Sequence, residues 1–126
     1  MTEIKKKSIL IVDDDTMVIA ALKDIISPDY DVYAVKSGED AIEKAKKITP
    51  DLILLDVFLP HMDGHETIKK LRSPKITKNI PVIFISGCTE DYEIEKGIES
   101  GALDFITKPF TNDSVLSKIK NAFNNF

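Results

Sequence analysis

Asp51-Leu52-Ile53-Leu54-Leu55-Asp56, continuing into Val57-Phe58-Leu59-Pro60, is the stretch that decides the architecture. Its aliphatic run shows no polar alternation, which predicts a short strand buried on both faces. Strands of that kind belong to parallel sheets covered by helices on either side. The run ends abruptly on Asp56, so a carboxylate stands at the carboxyl end of the strand. In open α/β sheets that edge is where ligands and chemistry are placed. A plainer reading makes Asp56 a loop cap, since aspartate is common after strands. What separates the two readings is whether the rest of the chain places chemistry at equivalent positions.

The remaining sequence alternates between strand-like and helix-like segments. Ser8–Val12 reads as a second buried strand. Thr16–Ile26 follows with a helical face of Val18, Leu22, Ile25 and Ile26, stopped by Pro28. Asp31–Val35 is a more polar strand, suited to a sheet edge. Ser37-Gly38-Glu39-Asp40 resembles a capping box, and Ala41, Ile42, Ala45 and Ile48 line the helix it opens. After Leu52–Asp56, a helix starts near Asp63 with Ile68 and Leu71 inward, and Ser73–Asn79 is a connector. Pro81–Ser86 is a strand with its proline first, where proline is tolerated. Glu90–Ser100 reads as a helix stopped at Gly101, Asp104–Thr107 as the last strand, and Thr111–Asn124 as a closing helix with Val115, Leu116, Ile119 and Phe123 inward. Five β/α units of this kind predict a doubly wound, five-stranded parallel sheet, a flavodoxin-like three-layer sandwich. Residues 1–126 read as a single domain.

Composition narrows the function. The chain has 126 residues, 43% hydrophobic and 30% charged, an ordinary balance for a globular domain with its own core. Its net charge of −4 offers no basic footprint for nucleic acid. The single cysteine, Cys88, has no partner for an internal disulfide, which fits a reducing compartment. Lys5-Lys6-Lys7 precedes an apolar run, but that run meets Asp13-Asp14-Asp15 after one strand's length, so it is no signal peptide. Nor does any segment approach the length of a membrane span. The expected location is the cytoplasm.

At the strand ends stand Asp13 and Asp14, then Asp56, Ser86 and Lys108. With strand order 2-1-3-4-5 the crevice opens between the first and third strands and gathers Asp13, Asp14 and Asp56. Three crowded carboxylates repel one another, and a hard divalent cation such as Mg²⁺ resolves the conflict. For Asp15 and Thr16 the plainer role is capping the first helix. An EF-hand loop is a poor fit, because Val18 stands where that loop needs glycine. A glycosidase pair is conceivable, but nothing supplies a sugar cleft.

Four segments, in this order and spacing, carry a specific resemblance: Ile11-Val12-Asp13-Asp14-Asp15; Leu54-Leu55-Asp56-Val57-Phe58-Leu59-Pro60 with Met62-Asp63-Gly64; Pro81-Val82-Ile83-Phe84-Ile85-Ser86-Gly87; and Gly101-Ala102-Leu103-Asp104-Phe105-Ile106-Thr107-Lys108-Pro109-Phe110. From about Lys7 to Phe123 the chain resembles the receiver domain of two-component response regulators, of the chemotaxis-regulator type. The resemblance implies that Asp56 is the phosphoacceptor and that Asp13, Asp14, Asp56 and the backbone carbonyl of Phe58 hold Mg²⁺. It implies that Ser86 and Lys108 contact phosphoryl oxygens, that Phe105 is a switching aromatic, and that the Lys108-Pro109 bond is cis. The implied donor is a phosphohistidine on a sensor histidine kinase or phosphotransfer protein. The implied output is a changed helix 4–strand 5–helix 5 face, read by a downstream protein or output domain. On this reading the chain is a signalling module rather than an enzyme, with no nucleic acid or membrane partner. It is either a stand-alone regulator or part of a longer one, monomeric or dimerising when phosphorylated.

Plainer roles compete at several positions. Phe58 can serve loop packing, and Phe105 can be a core residue. His61 and His65 have zinc-compatible spacing but straddle a loop and a helix start. Cys88 has no basic neighbour to activate it. Two other function classes remain: a flavodoxin-like small-molecule binder, and an aspartate-nucleophile phosphohydrolase using Asp13-x-Asp15. Flavin absorbance and phosphomonoester turnover are their respective signatures.

Overall fold

In the computed structural model, which describes residues 6–87, 96 and 98–124, nine regular elements alternate along the chain. They are β1 (Ser8–Val12), α1 (Thr16–Ile26), β2 (Asp31–Val35), α2 (Gly38–Ile48), β3 (Leu52–Asp56), α3 (Gly64–Leu71), β4 (Val82–Ser86), β5 (Asp104–Thr107) and the closing helix α4 (Asn112–Asn124). The strands form one five-stranded parallel sheet in the order β2-β1-β3-β4-β5. The expected order and fold class therefore hold, with polar β2 on an edge. Residues 96, 98 and 99 are helical, as expected before β5; Cys88, Ile94, Phe126 and most of the Glu90–Ser100 segment lie outside the described residues.

Period-two side-chain alternation divides the core into two layers. Leu10, Val12, Ile53, Leu55, Val82, Phe84 and Phe105 face α2 and α3, whereas Ile9, Ile11, Leu52, Leu54, Ile83, Ile85 and Ile106 face α1 and α4. Because both faces are covered, the inner strands need apolar residues at every position, which is why their sequences show no alternation. Each fully buried Leu or Ile contributes about 1.5–3 kcal/mol relative to exposure.

The helices start on side-chain caps. Asp15, Ser37 and Asp63 accept backbone N–H bonds from Met17, Asp40 and Glu66. At Ser37 the serine half of the expected capping box is seen. A reciprocal pair forms instead between Thr111 and Ser114, so the closing helix begins at Asn112 rather than at Thr111. In α1 the buried stripe is Ile19, Leu22 and Ile26, while Val18 and Ile25 pack only part-buried at its margin. In α4 it is Val115, Ile119 and Ala122, with Leu116 and Phe123 half-buried. Both shifts arise because a helix between a sheet and a neighbouring helix buries a stripe set by two surfaces, whereas the periodicity marks one.

Candidate functional site

Register aligns the carboxyl ends of the strands. Val12 pairs with Leu55, Asp56 with Ile85, and Ser86 with Thr107. Asp13, Asp56, Ser86 and Lys108 thus reach one sheet edge from four strands, as expected. Asp13 and Asp56 are buried at 1% and 5% exposure, whereas Asp14 is exposed. One carboxylate oxygen from each of Asp13, Asp14 and Asp56 lies within 4.8 Å of the others.

Lys108, just beyond the end of β5, sets its ammonium against this cluster. Its Nζ lies 2.9 Å from Asp13 Oδ2 and 3.7 Å from Asp56 Oδ2. Its backbone N–H donates to the Ser86 carbonyl at 2.8 Å, which ties the end of β5 to the end of β4. The Lys108-Pro109 bond is cis. Asp13 Oδ1 also accepts the Asp15 N–H at 2.9 Å, and Asp56 Oδ1 accepts the Phe58 N–H at 3.2 Å.

These surroundings shift two groups. Burial, then the charge of Asp13, pushes the Asp56 carboxyl above its ordinary value; Lys108 and the Phe58 N–H oppose the shift, and Asp14 adds to it. Burial pulls the Lys108 ammonium down, but its hydrogen bond to Asp13 and the charges of Asp56, Asp13 and Asp15 outweigh that and raise it. Three carboxylates against one ammonium leave an excess of negative charge. Oxygen ligands that converge with unbalanced charge suit Mg²⁺, which binds through one or two carboxylates and keeps several waters. The residues present therefore fit that ion.

Other expected residues fall as follows. Phe105 is buried and meets Phe84 edge-on at 6.5 Å, so in this arrangement it belongs to the core. Phe58 is 59% exposed, which speaks against a mainly loop-packing role. Asp15 caps α1, as the plainer reading had it. His65 is buried against Phe84 while His61 is exposed in the loop.

Two features at the mouth of the site escaped the sequence reading. The Lys36 ammonium donates to Thr16 Oγ1 at 2.8 Å across the β1–α1 turn. Beside Lys108, a shallow apolar groove of about 270 Å³ is lined by Met17, Val18, Ala21, Lys108, Pro109 and Phe110. Met17 is 81% exposed, the signal that could have marked this surface, had a lone apolar residue at a helix start been given weight.

The family model of the response regulator receiver domain matches residues 9–120. The alkaline phosphatase synthesis transcriptional regulatory protein PhoP of Bacillus subtilis is 38% identical over 115 residues, covering 90% of this chain and 47% of PhoP. The chain thus spans about half of that relative's length, and 28% of a probable cyclic di-GMP phosphodiesterase of Vibrio cholerae. Among solved structures, chemotaxis protein CheY4 of Vibrio cholerae superposes with a TM-score of 0.87 at 26% identity, covering 92% of this chain and 98% of that one. The signal receiver domain of a histidine kinase from Syntrophus aciditrophicus gives 0.84 at 32% identity, covering 94% and 91%.

Proposed function

This chain belongs to the response regulator receiver domain family, and from that membership we propose that Asp56 is its phosphoacceptor. Membership makes it a receiver domain of two-component response regulators, a module of phosphorylation-based signalling. The observation that carries the assignment of Asp56 is the Lys108 ammonium set between Asp13 and Asp56, 2.9 and 3.7 Å away, where three carboxylates converge. A cap would need neither the cation nor the cluster.

The carboxylates of Asp13, Asp14 and Asp56 and the backbone carbonyl of Phe58 would hold Mg²⁺. Bound there, the ion supplies positive charge to the phosphoryl oxygens and offsets the excess negative charge of the site. An Asp56 carboxylate oxygen attacks phosphorus as the P–N bond to the donor imidazole breaks, and the product is an acyl phosphate. The donor is a phosphohistidine of a sensor histidine kinase or phosphotransfer protein, and the apolar groove at Met17 and Pro109 gives its side chains a seat. Lys108 moves its charge toward the incoming oxygens, and catalysis is positioning plus electrostatics. The Ser86 hydroxyl hydrogen-bonds a phosphoryl oxygen and draws the end of β4 inward. Phe105 turns with it, and the face formed by the helix before β5, β5 and α4 changes shape for a downstream protein or output domain.

Catalysis on this reading is confined to the chain's own phosphorylation and slow dephosphorylation in the cytoplasm. Residues 1–126 act as one receiver, monomeric or paired in the phosphorylated form. Among the described residues, no helix is long and apolar enough to cross a membrane.

Incubation with acetyl phosphate and Mg²⁺ should add one phosphoryl mass, lost on hydroxylamine treatment. The adduct should be absent from Asp56→Asn; its persistence there would remove Asp56 from the role.

A further inference from the structure

His65, in the first turn of α3, is 7% exposed and has no part in the chemistry above. Burying an imidazole among apolar neighbours is unfavourable unless its nitrogens find partners, so its contacts define a specific arrangement. The preceding residue rests directly on the phosphoacceptor strand. The Gly64 N–H donates to the Val57 carbonyl at 2.8 Å. A Cβ on Gly64 would lie 2.6 Å from the Asp56 carbonyl oxygen and 2.8 Å from Val57 Cα. The first turn of α3 therefore has no slack against the backbone that follows Asp56.

On its other side the His65 ring reaches the end of the helix before β5. Nδ1 is 3.1 Å from Ser100 Oγ. The Ser100 hydroxyl donates to the Lys96 carbonyl at 2.8 Å. A hydroxyl has one proton to give, so with that proton on Lys96 the His65 Nδ1–H is the donor to Ser100. Immediately beyond stands Gly101 at φ +103°, and Arg72 donates to its carbonyl at 3.2 Å. The same imidazole lies 5.2 Å from the Phe84 ring, which meets Phe105 at 6.5 Å.

We propose that His65 is a positioning residue that couples Asp56 to the last turn of the helix before β5, by a route separate from Ser86. Displacement of the backbone at Asp56–Val57 passes through Gly64 to His65, and through its Nδ1–H bond to Ser100. Contact with Phe84 places the same ring in series with Phe105. This inference rests on the reading of Asp56 as the phosphoacceptor. A chain of contacts becomes a coupling when both ends are seen to respond together and the middle is needed for it.

The test uses the full chain with Mg²⁺ and beryllofluoride as the acyl-phosphate mimic, read by amide chemical shifts. Val57 and Phe58 report the site, and Ser100 and Gly101 report the far end. In the wild type both sets should move on addition. In His65→Leu the site shifts should persist, while those at Ser100 and Gly101 should fall at least about twofold. Ser100→Ala should give the same pattern at Gly101, and the double variant no further loss. His65→Asn, whose amide nitrogen sits where Nδ1 does, should restore the response. Ser100→Ala also carries the test if His65→Leu does not fold. Full-sized far-end shifts in folded His65→Leu or Ser100→Ala would overturn the coupling and leave Asp56 as acceptor. Shifts at the site with none at Ser100 and Gly101 in the wild type would do the same. Absence of any shift in the wild type would overturn both readings together.

Discussion

Replacing Lys108 with methionine tests the electrostatics of the site while keeping most of the stem in place. At an effective dielectric constant near 20, unit charges 2.9 and 3.7 Å apart attract by about 6 and about 4.5 kcal/mol. Burial of the ammonium offsets much of this, as its downward pull on the Lys108 pKa indicates. Truncating one partner of a largely buried pair leaves a net cost of roughly 2–4 kcal/mol, a drop in Tm on the order of 10 °C for a domain of this size. The cost should depend on pH with a definite sign. The Asp56 carboxyl is already raised from 3.8, and losing Lys108 removes one of the two influences that hold it down. A group raised in the folded state contributes stability that is complete below its unfolded value and lost as pH rises through the folded value. The deficit of Lys108→Met relative to wild type should therefore be small near about pH 4 and fully developed by about pH 7. Because the deficit comes from unbalanced carboxylates, millimolar Mg²⁺ should close much of it. Thermal melts by circular dichroism across that range, in EDTA and in Mg²⁺, measure all three effects. A deficit of equal size at every pH would mean that lost stem packing is responsible and that the charge argument is wrong.

Asp14→Ala should cost no stability in EDTA, and can raise it, because it removes one repelling carboxylate; it should also lose the stabilisation that Mg²⁺ gives the wild type, as paired melting curves would show. If Mg²⁺ stabilises both proteins equally, Asp14 is no ligand. Phe58→Asn should shorten the lifetime of the phosphoryl adduct several-fold, since the exposed Phe58 ring has no group to orient an attacking water and an amide does; a longer lifetime by timed mass spectrometry would refute this reasoning. Gly64→Ala should destabilise by roughly 1–3 kcal/mol in urea titrations, because the new methyl meets backbone of Asp56 and Val57 and the buried Phe84 ring.

The parts of this molecule that were legible in advance are those fixed locally. Leu52–Asp56 and Asp104–Thr107 were bounded to the residue because an apolar run followed by a carboxylate or a lysine leaves little freedom for the strand end. Once those ends were placed, parallel register could bring Asp13, Asp56, Ser86 and Lys108 together in only one way. Capping was partly readable for the same reason. Asp15 and Ser37 act on backbone two and three residues ahead, within the reach of a sequence pattern. The reciprocal pair of Thr111 and Ser114 has the same spacing but pairs two hydroxyls, and a search for glutamate or glutamine at the third position passes over it.

What stayed hidden depends on which surfaces meet. Lys36 reaches Thr16 from 20 positions away, Arg72 reaches Gly101 from 29, and His65 reaches Ser100 from 35. None of these pairs has a local signature, because each joins ends of different β/α units whose separation is set by helix packing. Arg72 shows the consequence most clearly. As a sequence it is one more cation among Lys69, Lys70, Lys75 and Lys78, and a solvated basic face is the natural reading. In the fold its guanidinium is drawn inward, with its pKa lowered by burial, and donates to the carbonyls of Lys78, Ile80 and Gly101. It thereby braces the connector before β4 against the turn before β5. Asp56 and Arg72 thus differ in kind. The role of the first follows from where a strand stops, which sequence specifies. The role of the second follows from which backbone oxygens a packed helix leaves within reach, and that is decided only when the layers close.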